Sequence, residues 1–232
     1  MSSSAPLDLD KPIHSCTILV DLENVRLAWQ QYYRHVFSYE DLVYLVLNAE
    51  RHAKTRASKV MFFMTEPNEG LFRSKEQQFR QELKRMKPKS PEAAIREHMI
   101  KCLYEEHRQY TRLVKKLIRE GKKTENLSGD LEPLGTEVGS DEWNGGLGGD
   151  GTNGRRCKVE ARTYGVKRWK GQSVQRGCDV AVASELTKAC FNPKVDRIIL
   201  FSGDSDFDNI VRSSLESEDV GGGVEKLAKD VW

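Results

Sequence analysis

At 232 residues, with 37 Lys plus Arg against 35 Asp plus Glu, the chain carries a formal net charge of only +2, so overall charge announces no polyanion binder. A hydrophobic share of 38% beside a charged share of 31% excludes a membrane-embedded chain and implies an ordinary core with a large solvated appendage. Five scattered cysteines, none paired as C-x-x-C, exclude a zinc ribbon or a thioredoxin-type redox pair.

The opening "MSSSAPLDLDKPIH" has no apolar run and no arginine, so residues 1–13 are expected to be a flexible segment and not a targeting signal. No stretch approaches the ~20 apolar residues of a membrane span. An intracellular protein, cytoplasmic or nuclear, is the expectation, and the thiols fit a reducing compartment.

Four short strands follow in chain order: Thr17–Asp21, Lys59–Met64, Lys158–Tyr164 and Arg197–Ser202. The first, second and fourth are continuous apolar runs, as in strands buried on both faces of a parallel sheet. Lys158–Tyr164 alternates apolar and polar residues, which suits an edge.

Helical patterns separate the strands. Ser38 caps a helix with Asp41 at the capping-box position and Leu42, Leu45, Val46 and Ala49 on one face. Gly177–Ala189 and Ser205–Leu215 supply two more. This alternation predicts an α/β fold with a mostly parallel central sheet.

The middle departs from that rhythm. Residues 68–87 and 91–120 read as polar helices, the second with a thin stripe of Ile95, Met99, Leu103, Leu113 and Leu117. Ten of the 18 glycines lie between Gly121 and Gly154, among acidic and small polar residues. Such a segment buries too little apolar surface to offset its ordering entropy. Residues 88–156 are therefore expected to be an insertion, an exposed helix followed by a disordered loop. It divides a single domain into parts at 14–87 and 157–232, and offers a surface to a protein partner.

Two strands end in acid. "DLENVR" (Asp21 to Arg26) follows the first, and "FSGDSDFDN" (Phe201 to Asn209) contains the end of the last. In an open parallel sheet, ligands bind beyond the carboxyl ends of the strands, where the strand order reverses. A central first strand, flanked by the second and fourth, would bring Asp21 beside Asp204, with Asp206 in the same turn. Asp179 sits in a first helical turn, where the helix dipole alone is a sufficient reason for an acid. Clustered carboxylates resist joint ionisation without a cation. Three or four of them fit a hard divalent ion with oxygen ligands, Mg²⁺ or Mn²⁺.

"ILVDLENVR", "RGCDVAVASEL" and "IILFSGDSDFDNIVR" together resemble the signature blocks of NYN domains, in the PIN-like ribonuclease superfamily. The resemblance implies a PIN-like doubly wound sandwich and Mg²⁺- or Mn²⁺-dependent hydrolysis of RNA phosphodiesters, with endoribonuclease action expected and exonuclease action left open. Carried over by position, it makes Asp21, Asp179, Asp204 and Asp206 the metal-binding acids, with Asn24 as their polar partner and Ser202 and Ser205 as flanking hydroxyls. Glu23 has no family role. Asp208 stands where the family carries an apolar or small residue. "EDVGGGVEKLAKDVW" makes a poor fifth strand, and the long insertion is not part of the pattern.

The stretch from Arg155 to Arg176 holds eight basic residues against one acid, with aromatics interleaved. Basic side chains neutralise phosphates and aromatics stack on bases. Arg162, Lys167, Arg168, Trp169, Lys170 and Arg176 are thus the expected RNA-binding residues. Two rivals remain at this point. One is a catalytically silent RNA- or protein-binding NYN module. The other is a haloacid-dehalogenase-type phosphatase, which would require an Asp where Glu23 stands.

Overall fold

The computed structural model describes residues 15–53, 55–124, 157–169, 172–175 and 177–216. Four strands, β1 (Ser15–Asp21), β2 (Arg56–Thr65), β3 (Lys158–Tyr164) and β6 (Arg197–Phe201), form one sheet in the order β3-β2-β1-β6. Every pairing in it is parallel. The remaining two strands, β4 (Val166–Trp169) and β5 (Gln172–Gln175), form a separate antiparallel hairpin. The fold is the mixed α/β arrangement with a central parallel sheet that the alternation predicts. β1 is central, with β2 on one side and β6 on the other, and β3 is an edge.

Alternation along the strands divides the core between two faces. Ile18, Val20, Val60, Phe62 and Met64 pack on one side with Leu42, Val43 and Val46 of α2 (Tyr39–Ala53). Leu19, Met61 and Phe63 pack on the other with Cys178, Val182 and Leu186 of α5 (Cys178–Cys190) and with Phe207. Burying each such side chain is worth about 1.5–3 kcal/mol, so both faces are firmly covered. Asp21 follows Leu19 in the alternation and falls on the α5 face.

The capping box of α2 is present. Asp41 N donates to Ser38 Oγ at 3.1 Å, and Ser38 N donates to Asp41 Oδ2 at 2.8 Å. A helix not expected from the sequence, α1 (Leu22–Tyr33), starts directly at the tip of β1. The two polar helices are α3 (Glu69–Arg85), capped by Asn68, and α4 (Pro91–Thr124).

The expectation of an exposed helix in the middle of the chain is overturned. Tyr110, Leu113, Val114 and Leu117 of α4 are buried in the core on the α2 face, whereas Ile95 and Met99 are exposed. The reason is topological. β2 and β3 are parallel neighbours, so the chain must cross over between them, and α4 is part of that crossover. A boundary at residue 88 therefore cuts away a helix that the sheet requires. Close approach is visible at Gly121, where a Cβ would stand 3.4 Å from the backbone nitrogen of Ala161 in β3. The glycine-rich loop and the poor fifth strand lie outside the described residues.

Candidate functional site

The register of β1 on β6 pairs Val20 with Phe201, so the next residues, Asp21 and Ser202, emerge level with one another at the carboxyl edge. Ser202 Oγ donates to Asp21 Oδ2 at 3.2 Å. Asn24, one turn into α1, donates its side-chain amide to the same oxygen at 2.7 Å and its backbone N–H to Oδ1 at 3.4 Å. Asp21 is thus both the helix cap of α1 and the centre of a small polar ring. It is 1% exposed, and Ser202 is 4% exposed.

The second acidic turn is built on the same hydroxyl. The backbone N–H of Asp204 donates to Ser202 Oγ at 3.2 Å, and Asp206 N donates to Asp204 Oδ1 at 2.9 Å. Asp204 caps a short 3-10 turn, Ser205–Phe207, which leads into α6 (Asp208–Glu216). Phe207 anchors this turn in the core, leaving Asp206 exposed. Asp208 is an exposed residue of the first turn of α6.

Asp179 enters from α5. Gly177 precedes that helix with φ of 83°, a left-handed conformation that suits glycine, and no side chain caps the helix start. Burial, then the charges of Asp204 and Asp206, raise the Asp179 carboxyl above its ordinary range. Asp21 is also raised. Burial is the largest cause, Asp179 adds to it, and the hydrogen bonds from Asn24 and Ser202 oppose it. The four acids thus form one electrostatic group drawn from β1, α5 and the turn after β6.

Among the described residues, no three His, Cys, Asp or Glu side chains stand together as a preformed metal cluster. The donor set nonetheless has the chemistry of a hard divalent site. It consists of carboxylate oxygens whose mutual repulsion a cation would relieve.

The basic stretch is distributed differently from expectation. Arg162 is engaged within the fold. Its guanidinium donates to Glu185 Oε1 at 3.0 Å and to Glu160 Oε2 at 3.1 Å. Glu160 also meets Lys59 and Lys158, so a charge network across β2, β3 and α5 takes up this part of the stretch. Arg162, expected to bind RNA, is held in ion pairs with Glu160 and Glu185 while its side chain stays 39% exposed. Lys167, Arg168 and Trp169 are in β4, whereas Lys170 and Arg176 lie outside the described residues. The hairpin β4–β5 was not foreseen; it leads from the end of β3 towards Asp179.

Sequence reasoning also missed a buried group beside Asn24. Arg26 is 9% exposed, and its guanidinium bridges Glu23 Oε1 at 2.7 Å and Glu106 Oε1 of α4 at 2.6 Å. It lies over the Tyr110 ring, 5.1 Å from the centroid. Tyr110 O–H donates to the Thr65 carbonyl at 2.8 Å. The i, i+3 spacing of Glu23 and Arg26 was the only local signal.

Among known proteins, the NYN domain family matches residues 149–220, under a third of the chain. No curated protein matches. One similar solved structure is a Vibrio parahaemolyticus protein of unknown function, 16% identical, with a TM-score of 0.38 over 91% of this chain and 79% of that one. That likeness is too low to bear on the fold. NYN domains are PIN-like, and that superfamily consists in general of nucleases. The matched stretch runs through Asp179, Asp204 and Asp206, so this part of the chain is similar to an NYN domain.

Proposed function

We propose that the protein is a metal-dependent ribonuclease that hydrolyses RNA phosphodiesters at Asp21, Asp179, Asp204 and Asp206. The observation that carries this reading is the convergence on Ser202. One buried hydroxyl ties the acid ending β1 to the acid following β6, 183 residues apart in sequence, at the strand-order reversal where α/β sheets bind ligands. The charges of Asp204 and Asp206 in that turn also act on the Asp179 carboxyl and raise it.

In this reading the four carboxylates hold Mg²⁺ or Mn²⁺. When bound, the ion lowers the pKa of a coordinated water and neutralises charge on the phosphate. Asn24 and Ser202 orient the Asp21 carboxylate through its Oδ2, and the Asn24 backbone N–H holds its Oδ1. The backbone N–H of Asp206 fixes Asp204 in the same way. Lys167, Arg168 and Trp169 belong to a hairpin between β3 and α5, and with Lys170 and Arg176 they would guide the RNA backbone to Asp179.

The test is cleavage of mixed single-stranded and hairpin RNA with and without Mn²⁺, beside an aryl phosphate as control substrate. Wild type should cleave RNA only with the ion, and Asp204→Asn should lose cleavage while remaining folded. The amide keeps the shape and removes the charge. A variant that cleaves like wild type at saturating Mn²⁺ misplaces the site, and hydrolysis of the aryl phosphate alone favours a phosphatase.

A further inference from the structure

We propose that Arg26 is a positioning residue, which holds the first turn of α1 in place and through it the Asn24–Asp21 pair. The inference rests on the site reading above, but its decisive test does not. Asp21 presents its carboxylate through a hydrogen bond from Asn24 at 2.7 Å, and Asn24 is carried by the first turn of α1. Orientation of that turn therefore determines orientation of the acid.

Arg26 fastens this turn to α4 directly and, through Tyr110, to the end of β2. One arm of its guanidinium binds Glu23 in the same turn, and the other reaches Glu106, 80 residues away on α4. Its face lies on Tyr110. The Tyr110 hydroxyl is bonded in turn to both the side chain and the carbonyl of Thr65, the last residue of β2. The end of β2, the middle of α4 and the catalytic end of β1 are thus joined through one side chain.

Stability is a poor reason for this arrangement. A buried ion group is often no more stabilising than apolar residues of the same volume, because its desolvation offsets the attraction. This one also leaves Arg26 Nε and Glu23 Oε2 buried with no hydrogen-bond partner. Its two carboxylates and one guanidinium do not balance. What the group does supply is direction: a planar fork that donates to two carboxylates at fixed angles. Lysine, a single point charge, would not reproduce it.

The test compares Arg26→Met, Arg26→Lys and Glu106→Ala with wild type by thermal midpoint, RNA cleavage kinetics and the NMR signal of the Asn24 side-chain amide. That signal is identified by its loss in Asn24→Ala, and it reports the bond to Asp21 whether or not the protein cleaves RNA. The expected result is an Asn24 amide displaced towards the position of a solvated amide in all three variants. Cleavage should show kcat lowered on the order of tenfold to a hundredfold, with KM changed less than about twofold, as for misplaced reacting groups. Glu106→Ala keeps Arg26 paired with Glu23, and it decides the matter if the Arg26 variants do not fold. An Asn24 amide at its wild-type position in a folded variant overturns the proposal, however much the midpoint falls. If the amide moves in a protein that shows no metal-dependent cleavage at all, the positioning role stands and the ribonuclease reading fails.

Discussion

The surroundings of Asp179 oppose its charged form. Burial and the charges of Asp204 and Asp206 place its carboxyl above the ordinary range. A carboxyl raised in the folded state contributes stability in full below its unfolded value, and loses that contribution as pH rises through the folded value. At pH 7 the ionised group is therefore a net cost to the fold. Asp179→Asn should raise the thermal midpoint at pH 7 in metal-free buffer, by a modest amount, because Asp179 is exposed and solvent screens the charges of its neighbours. The gain should vanish as pH falls to about 3.9, the unperturbed value for Asp. Unfolding scans at both ends of that window check the sign, and a midpoint lowered at pH 7 would mean that Asp179 is a favourable first-turn acid and nothing more. Asp21, Asn24 and Asp204 were legible in the sequence because each acts through near neighbours: a cap, a turn, a helix start. Arg26 was visible as a guanidinium beside two carboxylates, but its role was not. Its deciding partners, Glu106 and Tyr110, come from a helix far along the chain.

At the level of the element, α4 changes character along its length. Its 34 residues span about 50 Å, and only the part from Tyr110 onward lies on the sheet. Leu117→Ala should cost about 2–5 kcal/mol, as expected when a fully buried leucine leaves a cavity. Ile95→Ala, at an exposed position, should change stability by no more than about 0.5 kcal/mol. Denaturant titration of the two variants separates a core helix from an appendage, because an appendage would give two small effects. The sequence shows the same thin apolar stripe along both halves, in a background equally rich in charge. Whether a stripe meets a sheet depends on which strands are neighbours, and that is not a local property. The hairpin β4–β5 was hidden for a related reason: basic residues mask the alternation that marks a strand.

Among the described residues the main sheet is all-parallel with helices on both faces, beside the β4–β5 hairpin, and no described helix is long and apolar enough to cross a membrane. The strand-helix alternation made this class readable, and acid at two strand ends pointed to the edge where Ser202 joins them. The alternation alone leaves the strand order open, and the central first strand flanked by the second and fourth is the order found, β3-β2-β1-β6, with the chain's first two strands in the centre. That order has a consequence for the stretch 149–220, which matches a domain family yet contains only the two outer strands of the main sheet, β3 and β6. Cut out by itself, it would have no pair of adjacent strands in that sheet, and both outer strands would lack their template. A fragment of residues 149–220 should therefore show no cooperative unfolding alone. Mixed with a fragment of residues 1–124, which carries the central pair and α4, it should regain a thermal transition followed by circular dichroism. Two inert pieces that become one domain on meeting would make this fold a natural split reporter, with the acids of the site divided between the halves.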